Sequence, residues 1–232
     1  MENKLEIYSV SESSLIVYFG KAIDVNLPRD ISSYAQQVTH AFPTAILNCT
    51  PSYTSLLIEF HPLKLDWLTL QRFISTIKPS LPRNDIAGNT ITLPIFYDVS
   101  TGPDLTTMAE QLNLPKEQII EFHHSTLYTV CAIGFAPGFA FLADVPENIR
   151  MPRLTEPRKR VPQGSVGIAD RQTAVYPQTT PGGWNIIGNC PLQLYDATSP
   201  QTSRLKVGDK VQFSPISQRE FFELGGTTCL DW

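Results

Sequence analysis

The sequence is poor in the residues that most often carry chemistry. Its 232 residues include four histidines (His40, His61, His123, His124) and four cysteines (Cys49, Cys131, Cys190, Cys229). The cysteines lie far apart, with no CxxC and no paired zinc spacing. That excludes a Cys-based zinc site or dithiol motif and leaves free, buried thiols in a reducing cytoplasm as the expectation. There is no phosphate loop and no dinucleotide fingerprint, and Ser165 in QGSVG lacks the G-x-S-x-G spacing of a nucleophile elbow. No apolar run is long enough to cross a bilayer, and Met1 to Gly20 is acidic and alternating, unlike a secretory signal. An excess of positive charge is missing too. Eighteen Lys and Arg stand against 22 Asp and Glu, a net charge of −4 that argues against nucleic acid as the main partner.

What is present is enough to build a core: 42% hydrophobic and 17% charged residues. Residues 5–10 and 14–19 alternate apolar and polar around SESS and read as a hairpin. Ile31, Tyr34, Ala35, Val38 and Phe42 follow at helical spacing, with Pro28 suited to the first turn. Strand-like runs at 44–50 and 54–60 precede a second helix, capped by Asp66, with Trp67, Leu70, Ile74 and Ile77 on one face. This β-β-α-β-β-α order predicts a small α+β domain over residues 1–82, closed by the proline-rich, linker-like segment 78–89. Beyond it come a strand at 90–97, helices at 104–112 and 115–124, and short β runs at 127–133, 164–168, 172–176, 184–188, 191–195 and 210–213. Regular short strands separated by Gly and Pro predict a mostly β, barrel-like domain over 90–216. The stretch 143–163 reads as a loop long enough to be functional or disordered.

Three segments interrupt the barrel runs and concentrate unusual residues. IGFAPGFAFL (133–142) reads as a bend, with Pro137-Gly138 fitting the centre of a type II turn. Its rings, Phe135, Phe139 and Phe141, either plug a core or line a pocket. RMPRLTEPRKRVPQGSVG holds Arg150, Arg153, Arg158, Lys159 and Arg160 against one acid, Glu156. It is either a solvated basic loop or an anion site, since guanidinium grips carboxylate or phosphate in bidentate fashion. YPQTTPGGWNIIG adds Tyr176, Trp184 and the permissive pair Gly182-Gly183. His123 falls at a helix end, where the dipole favours its charged form; it is a proton-transfer candidate or a plain helix-end contact. Loops at a barrel mouth commonly form ligand sites.

Taken in order, GFAPGFAFL, PRLTEPRKRVPQGSVGI, VYPQTTPGGWNIIG and LKVGDKVQF resemble the motif series of the family of 5-oxoprolinase B subunits. That family overlaps with the histidine-kinase inhibitor KipI and with allophanate hydrolase subunit 1. The resemblance runs from the first strand to about Pro215; Ala140, where relatives often have proline, and the tail from Ser217 depart from it. It implies a cyclophilin-like C-terminal barrel and cooperation with two partners of the 5-oxoprolinase complex, its carboxyltransferase-like C subunit together with its A subunit. The implied activity is ATP-dependent conversion of 5-oxoproline to glutamate, with ATP as co-substrate at a site shared with a partner. The other implied activity is inhibition of a sensor histidine kinase. On this reading Phe135, Gly138 and Phe139 form a mouth wall, Arg153 and Arg158 contact the anion, Gly183 and Trp184 close one side, and His123 and Arg153 serve catalysis.

Overall fold

A computed structural model of the chain describes residues 5–77, 89–199 and 202–229. The linker-like segment therefore lies, apart from Asn89, outside the described residues. The chain forms two compact units, residues 1–88 and 89–232.

In the first unit, β1 (Glu6–Ser11), β2 (Ser14–Tyr18), β3 (Ile46–Pro51) and β4 (Ser55–Phe60) make an antiparallel sheet of order β1-β2-β4-β3. Side chains alternate across a strand, so Leu15 and Val17 of β2 and Leu56, Ile58 and Phe60 of β4 all turn to one buried face. Two helices complete this core. α1 (Leu27–Ala41) buries Ile31, Tyr34 and Val38, and α2 (Trp67–Thr76) buries Leu70 and Ile74, as the helical spacing requires. Asp66 caps α2, accepting from the Thr69 backbone N–H at 2.9 Å.

The second unit begins with β5 (Thr90–Ile95), α3 (Leu105–Leu112) and α4 (Lys116–Ser125). Then follow β6 (Leu127–Ile133), β7 (Ala140–Ala143), β8 (Arg158–Val161), β9 (Ser165–Ala169), β10 (Gln172–Val175), β11 (Thr180–Gly182), β12 (Asn185–Asn189), β13 (Lys210–Pro215) and α5 (Gln218–Glu223). Seven strands form one sheet, β12-β9-β10-β7-β6-β13-β5, antiparallel except for β13 beside β5. The sheet curls until its ends meet: Phe96 and Asn189 exchange backbone hydrogen bonds of 2.9 and 3.0 Å. The result is a nearly closed, barrel-like sheet in a mixed α and β chain. β8 and β11 pair with each other as a separate two-stranded ribbon.

Alternation sorts the residues of β9, β10 and β12 between two clusters. Val166, Ile168, Val175 and Ile187 turn to the large core, with Leu142, Val211 and Phe213. Ala169, Ala174 and Ile186 turn the other way, to a second cluster with Phe139, Val161, Tyr176 and Trp184. Because both faces are covered, every residue of β9 and β12 is buried.

Several sequence expectations change. The second half of the glycine-rich stretch is a strand, β7, and the supposed loop 143–163 contains β8. The run 191–195 is no strand and contributes only the bridge Tyr195 to Ser203. The tail begins with α5, whose Ser217 and Glu220 form a reciprocal capping box and whose Phe221 is fully buried, stacked on Phe96 at 5.0 Å. The S-x-x-E spacing was a readable signal for that helix.

Candidate functional site

The turn in the first motif forms as its residues dictate. Phe139 N–H donates to Ala136 O at 3.0 Å across Pro137-Gly138, and Gly138 has φ +76°, as a type II turn needs. A Cβ on Gly138 would lie 2.6 Å from the Tyr195 Cβ, so glycine is required by space as well as by conformation. The three rings part company here. Phe139 is buried, Phe141 is half-buried beside it, and Phe135 is 69% exposed. The question of plug or lining is thus answered residue by residue. Phe139 is a plug.

A chain of ring contacts joins the three motifs. Phe135 meets Phe139 edge-on at 5.3 Å between centroids, and Phe139 meets Trp184 at 5.6 Å. The Arg153 guanidinium lies 5.8 Å from the centre of the Trp184 ring, a cation–π contact. Trp184 itself is buried, its Cβ packed over Gly167, where a Cβ would approach to 3.0 Å. Tyr176 completes the cluster. Burial pushes its phenol up to about 12, against the pull of the Arg153 charge, so it remains a neutral hydroxyl. Gly183 holds the segment 150–157 in place: its carbonyl accepts from Leu154 N–H at 2.7 Å. Phe139 and Trp184, expected in the wall, belong to the cluster outside the large core.

Arg158 does something other than the anion contact expected of it. Its two terminal nitrogens bind both carboxylate oxygens of Asp104 at 2.9 and 2.8 Å, and Asp104 also accepts from the Ile186 backbone N–H at 2.6 Å. The guanidinium fork is already filled by a carboxylate of the chain. Asp104, which opens α3, ties that helix to β8 and β12. Sequence reasoning missed it, because an Asp before a helical run looks like a cap and its partner lies 54 residues away.

His123 packs among rings of the large core, against Tyr97, Tyr128 and Phe213. Its side chain is fully buried, stacked on Phe213 at 4.6 Å. Thr173 donates its only hydroxyl proton to Gly167 O at 3.0 Å, so it accepts from His123 Nε2–H at 2.9 Å. Nδ1 is then the acceptor for the Tyr97 hydroxyl at 2.7 Å. Burial, with the neighbouring His124 second, lowers the imidazole to about 3, overriding the helix dipole. A neutral ring with both nitrogens engaged inside the core is a packing and hydrogen-bonding element.

Of the expected site residues, the structure thus brings Phe135, Phe139, Trp184 and Arg153 together and leaves His123 elsewhere. Arg153, Lys159 and Arg160 are exposed, and none forms an ion pair among the described residues. Ser165 is fully buried and out of reach as a nucleophile. No group of three or more His, Cys, Asp or Glu among the described residues could hold a metal ion, and no described helix is long and apolar enough to cross a membrane.

Residues 5–205 match the family model described as carboxyltransferase domain, subdomain C and D. The chain is 31% identical over 233 residues to the 5-oxoprolinase B subunit of Bacillus subtilis, covering 95% of this chain and 97% of that protein. It is 32% identical over 213 residues to the 5-oxoprolinase B subunit of Haemophilus influenzae, covering 90% and 97%. The solved structure of the protein TTHA0988 superposes with a TM-score of 0.79 at 31% identity over 91% of this chain, which spans only 40% of that longer one. With a model match across most of its length and relatives of its own size above 30% identity, the chain belongs to the carboxyltransferase subdomain C and D family, among the 5-oxoprolinase B subunits.

Proposed function

We propose that the chain is one subunit of an ATP-dependent 5-oxoprolinase, a cyclic-amide hydrolase that converts 5-oxoproline to glutamate. It works together with the carboxyltransferase-like C subunit, with the A subunit as third component, and is inactive alone. The observation that carries this is the full-length similarity to two proteins bearing the B-subunit name. The kinase-inhibitor reading has no comparable support. The cyclophilin-like description of the barrel and the domains 1–82 and 90–216 belong to the same reading.

The substrate is a compact lactam with one carboxylate. It needs a cation for the carboxylate and an apolar surface beside it. Arg153 offers the cation: it is exposed, free of ion pairs among the described residues, and oriented by the Trp184 ring. Phe135, next in the ring chain, offers the apolar surface. ATP supplies the phosphoryl chemistry that activates a lactam oxygen. On this chain Arg153, Lys159 and Arg160 are the exposed cations suited to its phosphates, without a phosphate loop to enclose them.

In the assembled complex, Arg153→Ala lowers ATP-dependent glutamate formation from 5-oxoproline at least about tenfold, equivalent to ~1.4 kcal/mol. Its thermal midpoint stays near wild type, because an exposed guanidinium contributes little to folding. Arg153→Lys recovers part of the activity. A fully active Arg153→Ala complex refutes the assignment.

A further inference from the structure

Arg153 sits in a stretch without regular structure. From residue 150 to residue 157 the chain is neither helix nor strand, and Pro152 and Arg153 are both exposed. A long side chain on such a segment ordinarily samples many rotamers, and ordering it costs free energy each time a ligand binds. Here two of the motifs meet in a way that removes much of that freedom. Gly183, Trp184 and Asn185 face Leu154, Arg153 and Pro152 one for one. Gly183 O accepts from Leu154 N–H at 2.7 Å, the Trp184 ring meets the Arg153 guanidinium, and Asn185 Nδ2 donates to Pro152 O at 2.8 Å.

Those two hydrogen bonds bracket Arg153. Peptide units are planar, so a residue is placed by the two soft dihedrals between its flanking planes. The plane before Arg153 is held through Pro152 O and the plane after it through Leu154 N–H. With both held, the direction in which the side chain leaves the backbone is set. Met151 O, one residue further back, accepts from Asp170 N–H at 2.7 Å and ties the stretch to the turn after β9.

Of these three holds, the one from Asn185 is made by a side chain. Asn185 is 3% exposed and opens β12, paired with Ile168. Both acceptors of its amide are backbone carbonyls, Pro152 O at 2.8 Å and Ile168 O at 3.1 Å, so the NH2 group faces both and each of its protons is used. Its footing is firm: the next N–H, that of Ile186, donates to Asp104, which Arg158 grips with both terminal nitrogens. An apolar side chain at 185 would leave Pro152 O to water.

We propose that Asn185 is a positioning residue for Arg153. It fixes the peptide in front of the arginine, so that the guanidinium stands at one place over Trp184, ready for the anionic group of the substrate. This rests on the reading of Arg153 as the carboxylate contact and adds the residue that aims it.

The test compares Asn185→Ala and the similarly sized, donor-free Asn185→Leu with Ile187→Val, a control that trims the large core and leaves residues 151–154 untouched. The NMR signal of Arg153 Nε–H in the isolated subunit is identified by its loss in Arg153→Ala. In either Asn185 variant that folds, it is expected to move towards the position of free arginine and to lose its heteronuclear NOE; in Ile187→Val it stays in place. In the assembled complex with ATP, the same variant is expected to raise KM for 5-oxoproline at least about fivefold while kcat changes less than about twofold, the pattern of weakened substrate binding. Combined with Arg153→Ala it lowers kcat/KM no further, because the group it positions is gone. An Nε–H signal unchanged by loss of Asn185 overturns the proposal. So does a KM effect that persists in full beside Arg153→Ala, which makes Asn185 merely structural. If the wild-type complex makes no glutamate, the 5-oxoprolinase reading fails on its own, and the NMR signal decides the positioning: release supports it and no change overturns it.

Discussion

Replacing His123 with glutamine is expected to remove a large part of this protein's sensitivity to acid. The imidazole is buried and neutral, its pKa lowered to about 3 in the fold, against about 6.5 in an unfolded chain. A depressed histidine pKa means that the unfolded state binds the extra proton. The stability contributed by the neutral ring is therefore fully present above about pH 6.5 and is lost progressively as pH falls from there towards about 3. Between about pH 7 and about pH 4.5 the loss attributable to this one group is on the order of 2–3 kcal/mol. Glutamine retains a donor and an acceptor for Thr173 and Tyr97 but does not titrate. It will carry a cost of its own at neutral pH, because it does not reproduce the stacking on Phe213. The informative measurement is consequently the slope: urea unfolding of both proteins across this pH range, with wild type falling more steeply. Parallel curves would show that the ring is accessible to protons in the folded state, and the proton-transfer role would have to be reconsidered.

Arg158→Ala is expected to cost about 3–5 kcal/mol of stability, the usual result of stripping one partner from a buried ion pair. The side chains of Arg158 and Asp104 retain only 18% and 11% of their exposure, and the contact is bidentate. Without the guanidinium, Asp104 keeps the Ile186 N–H but has an uncompensated charge in a largely dry setting. Asp104→Asn in the same background should restore part of the loss, since an amide needs no counter-ion. Thermal or urea unfolding checks both. A loss below about 1 kcal/mol, as for an exposed pair, would mean that Arg158 is available to a ligand after all.

Much of the local structure was legible in the chain. The helical spacing of Ile31, Tyr34 and Val38 and of Leu70 and Ile74 named the buried faces of α1 and α2, because one stripe of a helix must meet its core. Pro137-Gly138 specified its turn through backbone sterics alone. Those signals act over a few residues and need no partner. β7 was hidden because two of its four residues are Ala and it follows directly on the Pro137-Gly138 turn, and β8 because Arg158, Lys159 and Arg160 show no alternation; each is a strand only because a neighbour pairs with it.

The sequence by itself determined the alternating and helical patterns, the motif series that places the chain in its family, and the clustering of cations between residues 150 and 160. Only the tertiary structure decided which of those cations are spoken for. Arg153 and Arg158 stand five residues apart in one motif, yet Arg158 is locked to Asp104 while Arg153 lies exposed over Trp184. The same holds for Phe135 and Phe139, one outside and one inside, and for His123, whose titration is fixed by burial beneath residues from three other segments. The reason is physical: desolvation and ion pairing depend on what the fold packs around a group, and those neighbours lie tens of residues away along the chain.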